Sequence, residues 1–468
     1  MVIRVTISNS SEEEQIGAIE NKLEDAFLDL EWVIRQKDDI KDPSRLEEVE
    51  KLIFQATDNL AGQLLALKVQ ESLASEGLKE DASNLIKACP KKLKNQGPRE
   101  VKVRPLRGEP FIVKTSYYSA KKAGVYPCLI LLGIHEHCTP GFASEVSMLS
   151  SLLSSFKETQ QVLSEQGVKL DTKTIEKLTV QYSERARAAL TAHGSNFEEG
   201  VTGRKVVVST DGGRIRIRKN KRGPKTKKGR NRYSTQWREP KLLIIYIAKG
   251  NGEMDKSFAP FIDGVLKGPD AIFNLIMYYL IKLEIVKADK VLFVADGARW
   301  IWNRVGQLMR TLGVSSNQCY EIVDFYHAVE HLGKVAELRK SWKASERKAW
   351  VKKHRRLLLK GKVSDVIEGI QEVCRGRNSK EVRQERDYFI RNSKRMSYNI
   401  VSSMGLPIGS GAMESSIRRV VNLRLKGASI YWLHQTAEAM LLLRSYYKAG
   451  RLNMLKHLTF DVSLTNFA

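Results

Sequence analysis

Val206-Val-Val-Ser-Thr-Asp211-Gly-Gly213 and Val291-Leu-Phe-Val-Ala-Asp296-Gly-Ala298 decide how this chain is read. Each is an apolar run of strand length that delivers an aspartate and a glycine at its C-terminal end. Near-continuous apolar runs suit strands buried on both faces, as in parallel sheets. In open sheets, ligand sites lie outside the C-terminal ends of such strands. One Asp-Gly alone reads as a turn former. Two of them after buried strands, joined by Glu414 in Gly409-Ser-Gly-Ala-Met-Glu414-Ser-Ser, read as a set of hard oxygen ligands for a divalent metal. Carboxylates held together in this way need a rigid frame, because they repel one another until a cation neutralises them.

Outward from these runs, Ile215–Arg218 alternates like a second strand and Leu242–Ala248 is an uninterrupted apolar third. Pro269–Ile285 reads as a helix with a buried face, Trp300–Leu312 as another, and Tyr320–Val323 as a short fifth strand. Three β runs, helix, strand, helix, strand describe an α/β domain with a mixed sheet over 201–326. Residues 327–404 are charged and helical in pattern, a helical insertion that separates Glu414 from the sheet. Residues 405–450 return to the core, with a last amphipathic helix at Ala412–Leu425, and 451–468 form a tail.

The region ahead of the core divides in three. Residues 1–95 are acidic and helical, with Ile16, Ile19, Leu23, Ala26, Leu30 and Val33 at alternating three- and four-residue steps. Such a seam serves either a dimer or an internal helical hairpin. Residues 96–142 form a small β-rich element, and 143–200 are helical. There Glu145–Gln166 reads as one helix, ended by Gly167, and a second is capped by Asp171 or Thr172. Two helices joined by a short glycine-containing turn fit a helix-turn-helix-like DNA-binding domain.

Charge separates these regions. Residues 1–90 carry 10 Lys+Arg against 19 Asp+Glu, while the whole chain has a formal net charge of +25. A polyanionic partner for the later domains follows. Eleven Lys or Arg and no acidic residue lie between Arg214 and Tyr233: Arg214, Arg216, Arg218, Lys219, Lys221, Arg222, Lys225, Lys227, Lys228, Arg230 and Arg232. Arg418, Arg419, Arg424 and Lys426 follow Glu414. Such density suits phosphate contacts, which position a strand without reading its sequence. Trp300, Trp302 and Trp432 suit core packing better than base stacking.

Five scattered cysteines, at 89, 128, 138, 319 and 374, include no Cys-x-x-Cys pair, which argues for a reducing compartment. His135-Glu-His-Cys138 with Cys128 lacks the paired spacing of zinc sites. His327-Ala-Val-Glu-His331 spells an inverted zincin signature, but no third ligand stands out. Either capping and packing of the insertion's first turn explains it better, or Asp324 and His327 are auxiliary residues at the rim of the carboxylate site. The chain opens on a polar, acidic stretch rather than a signal peptide, and Ile272–Val286 is interrupted by Lys282 and Glu284. A cytoplasmic protein without a membrane partner is expected.

The set Asp211-Gly, Trp237-Arg-Glu239, Ala295-Asp296-Gly-Ala, Asp324-Phe-Tyr-His327-Ala-Val-Glu-His331 and Gly409-Ser-Gly-Ala-Met-Glu414-Ser-Ser-Ile-Arg-Arg resembles bacterial insertion-sequence transposases of the ISKra group. Asn422-Leu-Arg-Leu-Lys-Gly427, Trp432 and Ala437-Glu-Ala-Met-Leu-Leu-Leu-Arg444 extend the resemblance over roughly residues 100–450. It implies an RNase H-like core interrupted by an all-helical insertion, with DNA-binding domains ahead of it. It also implies an Asp-Asp-Glu triad, here Asp211, Asp296 and Glu414, holding two Mg²⁺ ions, for which Mn²⁺ can substitute. Some relatives resemble a cysteine-paired ribbon near 128–138; this chain lacks the pairs, so zinc is not expected.

The expected activity is that of a DDE-type DNA transposase, which cleaves the ends of its insertion sequence and transfers strands to target DNA. The expected partners are double-stranded DNA, as transposon ends and target, and further copies of the chain in a homodimer or higher oligomer, associated with the nucleoid. The seam in 12–90 is the expected place of contact between copies. Two alternatives share parts of this reading: an RNase H-like structure-selective nuclease, and a domesticated DNA-binding regulator without catalysis.

Overall fold

The computed structural model describes residues 10–36, 40–90, 92–120, 123–192, 200–227, 229, 231–377 and 379–460. The protein is a mixed α+β chain of two compact units, Met1–Ala192 with Lys456–Ala468, and His193–Leu455. Among the described residues no helix is long and apolar enough to cross a membrane.

The first unit opens with α1 (Ser10–Arg35) packed along α2 (Pro43–Ala74). Asp42 starts α2, its carboxylate accepting the backbone N–H groups of Ser44 and Arg45 at 2.9 and 3.0 Å, with Pro43 in the first turn. The seam of α1 is used inside this unit: Ile16, Ile19 and Ala26 are buried and Leu23, Leu30 and Val33 partly so. Ile19 joins Ala66 and Leu73 of α2, Ala82 of α3 (Glu76–Lys87) and the strand residues Val101, Val103, Phe111 and Val113 in one core. The internal use of the seam is therefore the one observed, and Phe27, Leu28, Trp32 and Phe54 stay exposed on the two long helices.

The strands are β1 (Lys94–Val103), β2 (Phe111–Ala120) and β3 (Ala123–Val125), an antiparallel sheet in chain order. Buried Gln70 ties α2 to it, its amide exchanging hydrogen bonds with the backbone of Lys114 at 2.9 and 3.3 Å. After α4 (Pro127–Leu131) come α5 (Pro140–Leu152), α6 (Phe156–Glu165) and α7 (Thr172–Ala192), with α7 packed on both others. The single helix expected over 145–166 is thus two. The break falls where Ser155 accepts the N–H of Glu158 at 3.0 Å and Glu158 accepts that of Ser154 at 2.9 Å, a reciprocal cap that restarts the helix. Asp171 caps α7 as read from the sequence.

The second unit is built on β4 (Lys205–Gly212). After it come β5 (Ile215–Asn220), β6 (Tyr233–Arg238), β7 (Lys241–Ala248), β8 (Phe261–Val265), α8 (Pro269–Lys282), β9 (Lys290–Ala295), α9 (Arg299–Thr311) and β10 (Cys319–Val323). The main sheet has the order β10-β9-β4-β7-β8. β4 runs parallel to β9, and β9 to β10, while β7 is antiparallel to both β4 and β8. Every residue of β7 and β8 is buried, as a central sheet requires.

Two expectations need correction here. Ile215–Arg218 does not join the main sheet; β5 pairs with β6 in a separate hairpin. Its alternation of buried isoleucines and outward arginines marks a ribbon with one wet face, which the central sheet cannot accommodate. The third antiparallel strand is β8, whose short Phe-Ile-Asp-Gly-Val run carries no strand pattern in the sequence.

Helices α10 (Phe325–Glu337), α11 (Ala344–Leu359), α12 (Val363–Cys374), α13 (Lys380–Asn392) and α14 (Tyr398–Ser403) make up the insertion, which is helical as expected. Gly405 then takes φ +65°, and a β-carbon there would strike the carbonyl of Gly250. α15 (Gly411–Ser416) passes into a π-helical turn at Ile417–Asn422, so the single helix expected over 412–425 is interrupted. α16 (His434–Lys448) packs on β8, and α17 (Leu452–Thr459) follows it in the chain.

Candidate functional site

The parallel register of β4 and β9 pairs Val206 with Val291, Val207 with Leu292 and Val208 with Phe293. Continued by three residues, it sets Asp211 level with Asp296. Both carboxylates therefore emerge at the same end of adjacent parallel strands, where open sheets build their sites. The Asp211 carboxyl is pushed up to about 6, first by burial and also by the charge of Asp296, while the N–H of Gly212 pulls it down. That N–H donates to Asp211 Oδ1 at 2.6 Å. Asp296 accepts the N–H of Ala298 at 3.0 Å, and its carbonyl accepts the indole N–H of Trp302 at 2.6 Å.

Two further charges stand at this strand end. β7 places buried Lys241 directly opposite Gly212. Its ammonium lies 2.7 Å from Glu239 and 3.9 Å from the Trp300 ring centroid. Lys241 favours and Glu239 disfavours the ionised form of Asp211, so both act at the aspartate. A β-carbon on Gly212 would meet the Glu239 side chain, so that any larger residue after the aspartate would displace this carboxylate. Trp300 and Trp302 have packing roles, the first against Lys241 and Phe273, the second buried beside Asp296, as read from the sequence.

Asp324 ties the third acidic residue to this end of the sheet. It follows β10, its backbone N–H donates to the carbonyl of Ala295 at 2.7 Å, and its carboxylate is buried. Oδ1 accepts the N–H of His327 at 2.8 Å, capping α10. Oδ2 accepts the Ser410 hydroxyl at 2.6 Å and the Ser410 N–H as well. Ser410 is the N-cap residue of α15, the helix of Glu414, and α15 packs against β4 and β7. Asp324 is therefore a positioning residue for the Glu414 helix. Glu414 itself is exposed, and among the described residues no three acidic, histidine or cysteine side chains converge as a metal-sized group. The structure brings together Asp211 and Asp296, and places Glu414 on a helix anchored beside them.

The donor chemistry of the pair suits a hard divalent cation, since both side chains offer carboxylate oxygens and burial makes an uncompensated second charge costly. His331 is engaged elsewhere: its Nδ1 lies 2.5 Å from Glu385 and its ring stacks on Tyr388 at 3.8 Å. His327 is half-buried and lies 3.5 Å from Glu330. In the His135–Cys138 turn, Glu136 pairs with Arg185 at 2.6 Å, and burial pushes the Cys138 thiol up to about 12.

The cationic residues fall into different settings. Arg214, Lys219, Lys221, Arg222, Lys225 and Lys227 are exposed on the hairpin and its loop; Lys228 and Arg230 lie outside the described residues. Arg216 and Arg218 are half-buried, and Arg216 donates to the carbonyl of Gly427. Arg418 and Lys426 are exposed and Arg419 half-buried. Arg424 is a correction: it is buried, its guanidinium 4.8 Å from the centroid of the buried Trp432 ring, so it braces the core instead of presenting charge to phosphate. Sequence reasoning passes over Lys241, a lone lysine opening an apolar strand, and gives Trp237 no role of its own. The signal for Trp237 is its place among arginines on an alternating strand.

No protein-family model, curated protein or solved structure matches this chain.

Two outcomes follow from this geometry. A raised carboxylate pKa means that the folded state holds the Asp211 proton more tightly than the unfolded chain. Its stabilising contribution is complete below the ordinary value of 3.8 and lost as pH rises through about 6. In metal-free protein, Asp211→Asn should therefore leave Tm near the wild-type value at pH 3.5 and raise it relative to wild type by about 3 °C at pH 7.5. Thermal melts across that range check this, and a pH-independent difference would show that the aspartate is not destabilised by its surroundings. Asp324→Asn should cost about 1–3 kcal/mol in denaturant unfolding, because Asn supplies one acceptor oxygen where two are used.

Proposed function

We propose that this protein is a metal-dependent DNA transposase of the DDE type, with Asp211, Asp296 and Glu414 as its acidic triad. The observation that carries the reading is the parallel β4–β9 pairing, which sets two carboxylates together at the strand end from which a strongly cationic hairpin rises. The five-stranded sheet, with its antiparallel strands first and its parallel strands after them, supports an RNase H-like core. The all-helical stretch between β10 and α15 supports the expected insertion.

In this reading the residues divide the task. The basic hairpin loop and the exposed Arg418 and Lys426 bind phosphates and orient the strand at the carboxylate pair. Mg²⁺, held by the triad when bound, supplies electrostatic stabilisation of charge developing on the phosphodiester. Lys241 balances the aspartate charges from within the sheet. Asp324 fixes the start of the Glu414 helix, and Trp302 fixes the backbone at Asp296. The helices α5, α6 and α7 take the role of reading element ends in the major groove. The cut products leave 3′ hydroxyl groups for joining to a target, and cutting two ends calls for at least two copies of the chain.

Asp211→Asn, Asp296→Asn and Glu414→Gln should each lower Mg²⁺-dependent strand cleavage by about two orders of magnitude or more while DNA affinity stays near wild type. Gel assays on labelled ends with target plasmid separate cleavage from joining. Full cleavage by any variant removes that residue from the triad, and cleavage without joining by the wild type points to a nuclease instead.

Replacing Lys219, Lys221, Arg222, Lys225 and Lys227 with Gln should weaken binding similarly on all duplex sequences. The slope of log affinity against log salt should become shallower by about 0.9 for each phosphate that the loop no longer neutralises. An unchanged slope would place the loop away from phosphate.

A further inference from the structure

The hairpin that rises from Asp211 carries more than charge. Along a strand, alternate residues share a face, and directly opposed residues of an antiparallel pair share it too. In the β5–β6 register, Arg216 faces Trp237, Arg218 faces Thr235 and Asn220 faces Tyr233. Ile215 and Ile217 are buried and belong to the other face. The outward face therefore interleaves arginines with aromatic rings. The guanidinium carbons of Arg214 and Arg216 lie 5.1 and 5.6 Å from the Trp237 ring centroid. Arg216 also lies 4.6 Å from the centroid of Tyr431, whose ring is 5.9 Å from that of Tyr233. Hydrogen bonds between the backbones of Trp432 and β5 hold Tyr431 in place, at 3.0 Å to the Arg216 carbonyl and 2.8 Å from the Arg218 N–H.

Large rings arranged this way are unusual on a solvated surface. Trp237 is 54% exposed and Tyr233 46%. A single exposed ring calls for no explanation, but a contiguous set braced by arginines marks a binding surface. Its chemistry selects the occupant. Phosphate alone would need only the arginines, and an apolar protein partner would bring no counter-charge to the eleven Lys or Arg between Arg214 and Tyr233. Flat π-faces beside cationic groups fit unpaired nucleobases with their phosphates alongside. Base pairs inside a duplex are stacked on one another and offer no free face to such a ring. Trp237 also stands two residues before Glu239, whose charge acts on Asp211.

We infer that the outward face of the β5–β6 hairpin is a stacking platform for an unpaired nucleobase of the DNA strand held at Asp211 and Asp296, with Trp237 as its central ring. The inference rests on the reading of this site as DNA-processing. It adds a requirement that duplex binding alone does not impose: the strand is melted or frayed next to the scissile position.

The test uses the full chain without divalent metal. It is titrated with a duplex bearing a short single-stranded overhang that contains 2-aminopurine, and with the blunt duplex of the same sequence. The wild type should favour the overhang about tenfold and quench the 2-aminopurine by stacking. Trp237→Ala should abolish both the preference and the quench while blunt-duplex affinity stays within about twofold. Trp237→Phe, which keeps a ring, should retain most of each. Equal wild-type affinity for the two DNAs, or preference and quenching retained by Trp237→Ala, overturns the platform. If that same protein still cuts DNA with Mg²⁺, the DNA-processing reading survives without it. A wild type that neither binds nor cuts either DNA overturns that reading and the platform together.

Discussion

Parallel pairing of β4 with β9 is the constraint on which the site depends. Backbone hydrogen bonds between two buried strands fix the height at which each chain leaves the sheet, where Asp211 is the last residue but one of β4 and Asp296 directly follows β9. Like charges so placed repel, and burial worsens the repulsion by removing solvent screening. The fold tolerates this because Val206–Val208 and Val291–Ala295 are buried apolar groups whose packing holds the register. Burial first, and the charge of Asp296 as well, push the Asp211 carboxyl up to about 6. Positive charge brought beside such a pair relieves both its mutual repulsion and the cost of its burial.

Local chemistry around the pair follows from the same register. β7 runs antiparallel to β4, so its first residue, Lys241, arrives opposite the end of β4, and Glu239 comes with it. The hairpin between them is forced outward because β4 and β7 are already hydrogen-bonded neighbours in the sheet. A segment excluded from the sheet but bound to its active end can present its wet face to whatever the carboxylates hold. The arginines of β5 and the rings of β6 occupy that position.

Much of this was legible in the sequence, for physical reasons that can be named. Val206–Val208 and Val291–Ala295 are apolar without interruption, short, rich in valine and followed within a few residues by glycine, which marks buried strands rather than helix. Asp171 before α7 and the charged, strand-free stretch after Tyr326 gave the helices away. What stayed hidden depended on tertiary context. β8 is a short strand with an acidic centre, Asp263, which breaks the apolar pattern by which strands are read. In the fold its carboxylate accepts the Tyr279 hydroxyl at 2.8 Å and the Gly264 N–H at 2.6 Å. The seam of α1 has the same spacing whether it packs on a partner chain or on α2, and only the folded hairpin distinguishes the two. Arg424 looks like its basic neighbours until Trp432, further along the chain, is seen to cover it. The convergence of Glu414 on the pair, which the motif suggested, is not reached by its side chain here; its helix alone is brought near.

The insertion leaves the sheet at Asp324 and returns at Ser410, and these two residues are bonded to each other. Phe325 N–H also donates to the carbonyl of Ile408 at 3.0 Å, so the outgoing and incoming chains are clamped at one point. The helices from α10 to α14 therefore hang from a closed neck. Closing a loop costs entropy that grows only with the logarithm of its length, so enlarging or trimming what lies beyond the neck changes the closure term little. The neck, rather than the bundle, transmits position to the Glu414 helix. The helical excursion is in this sense a modular body: its length and contents can change at little cost to the geometry at the strand ends.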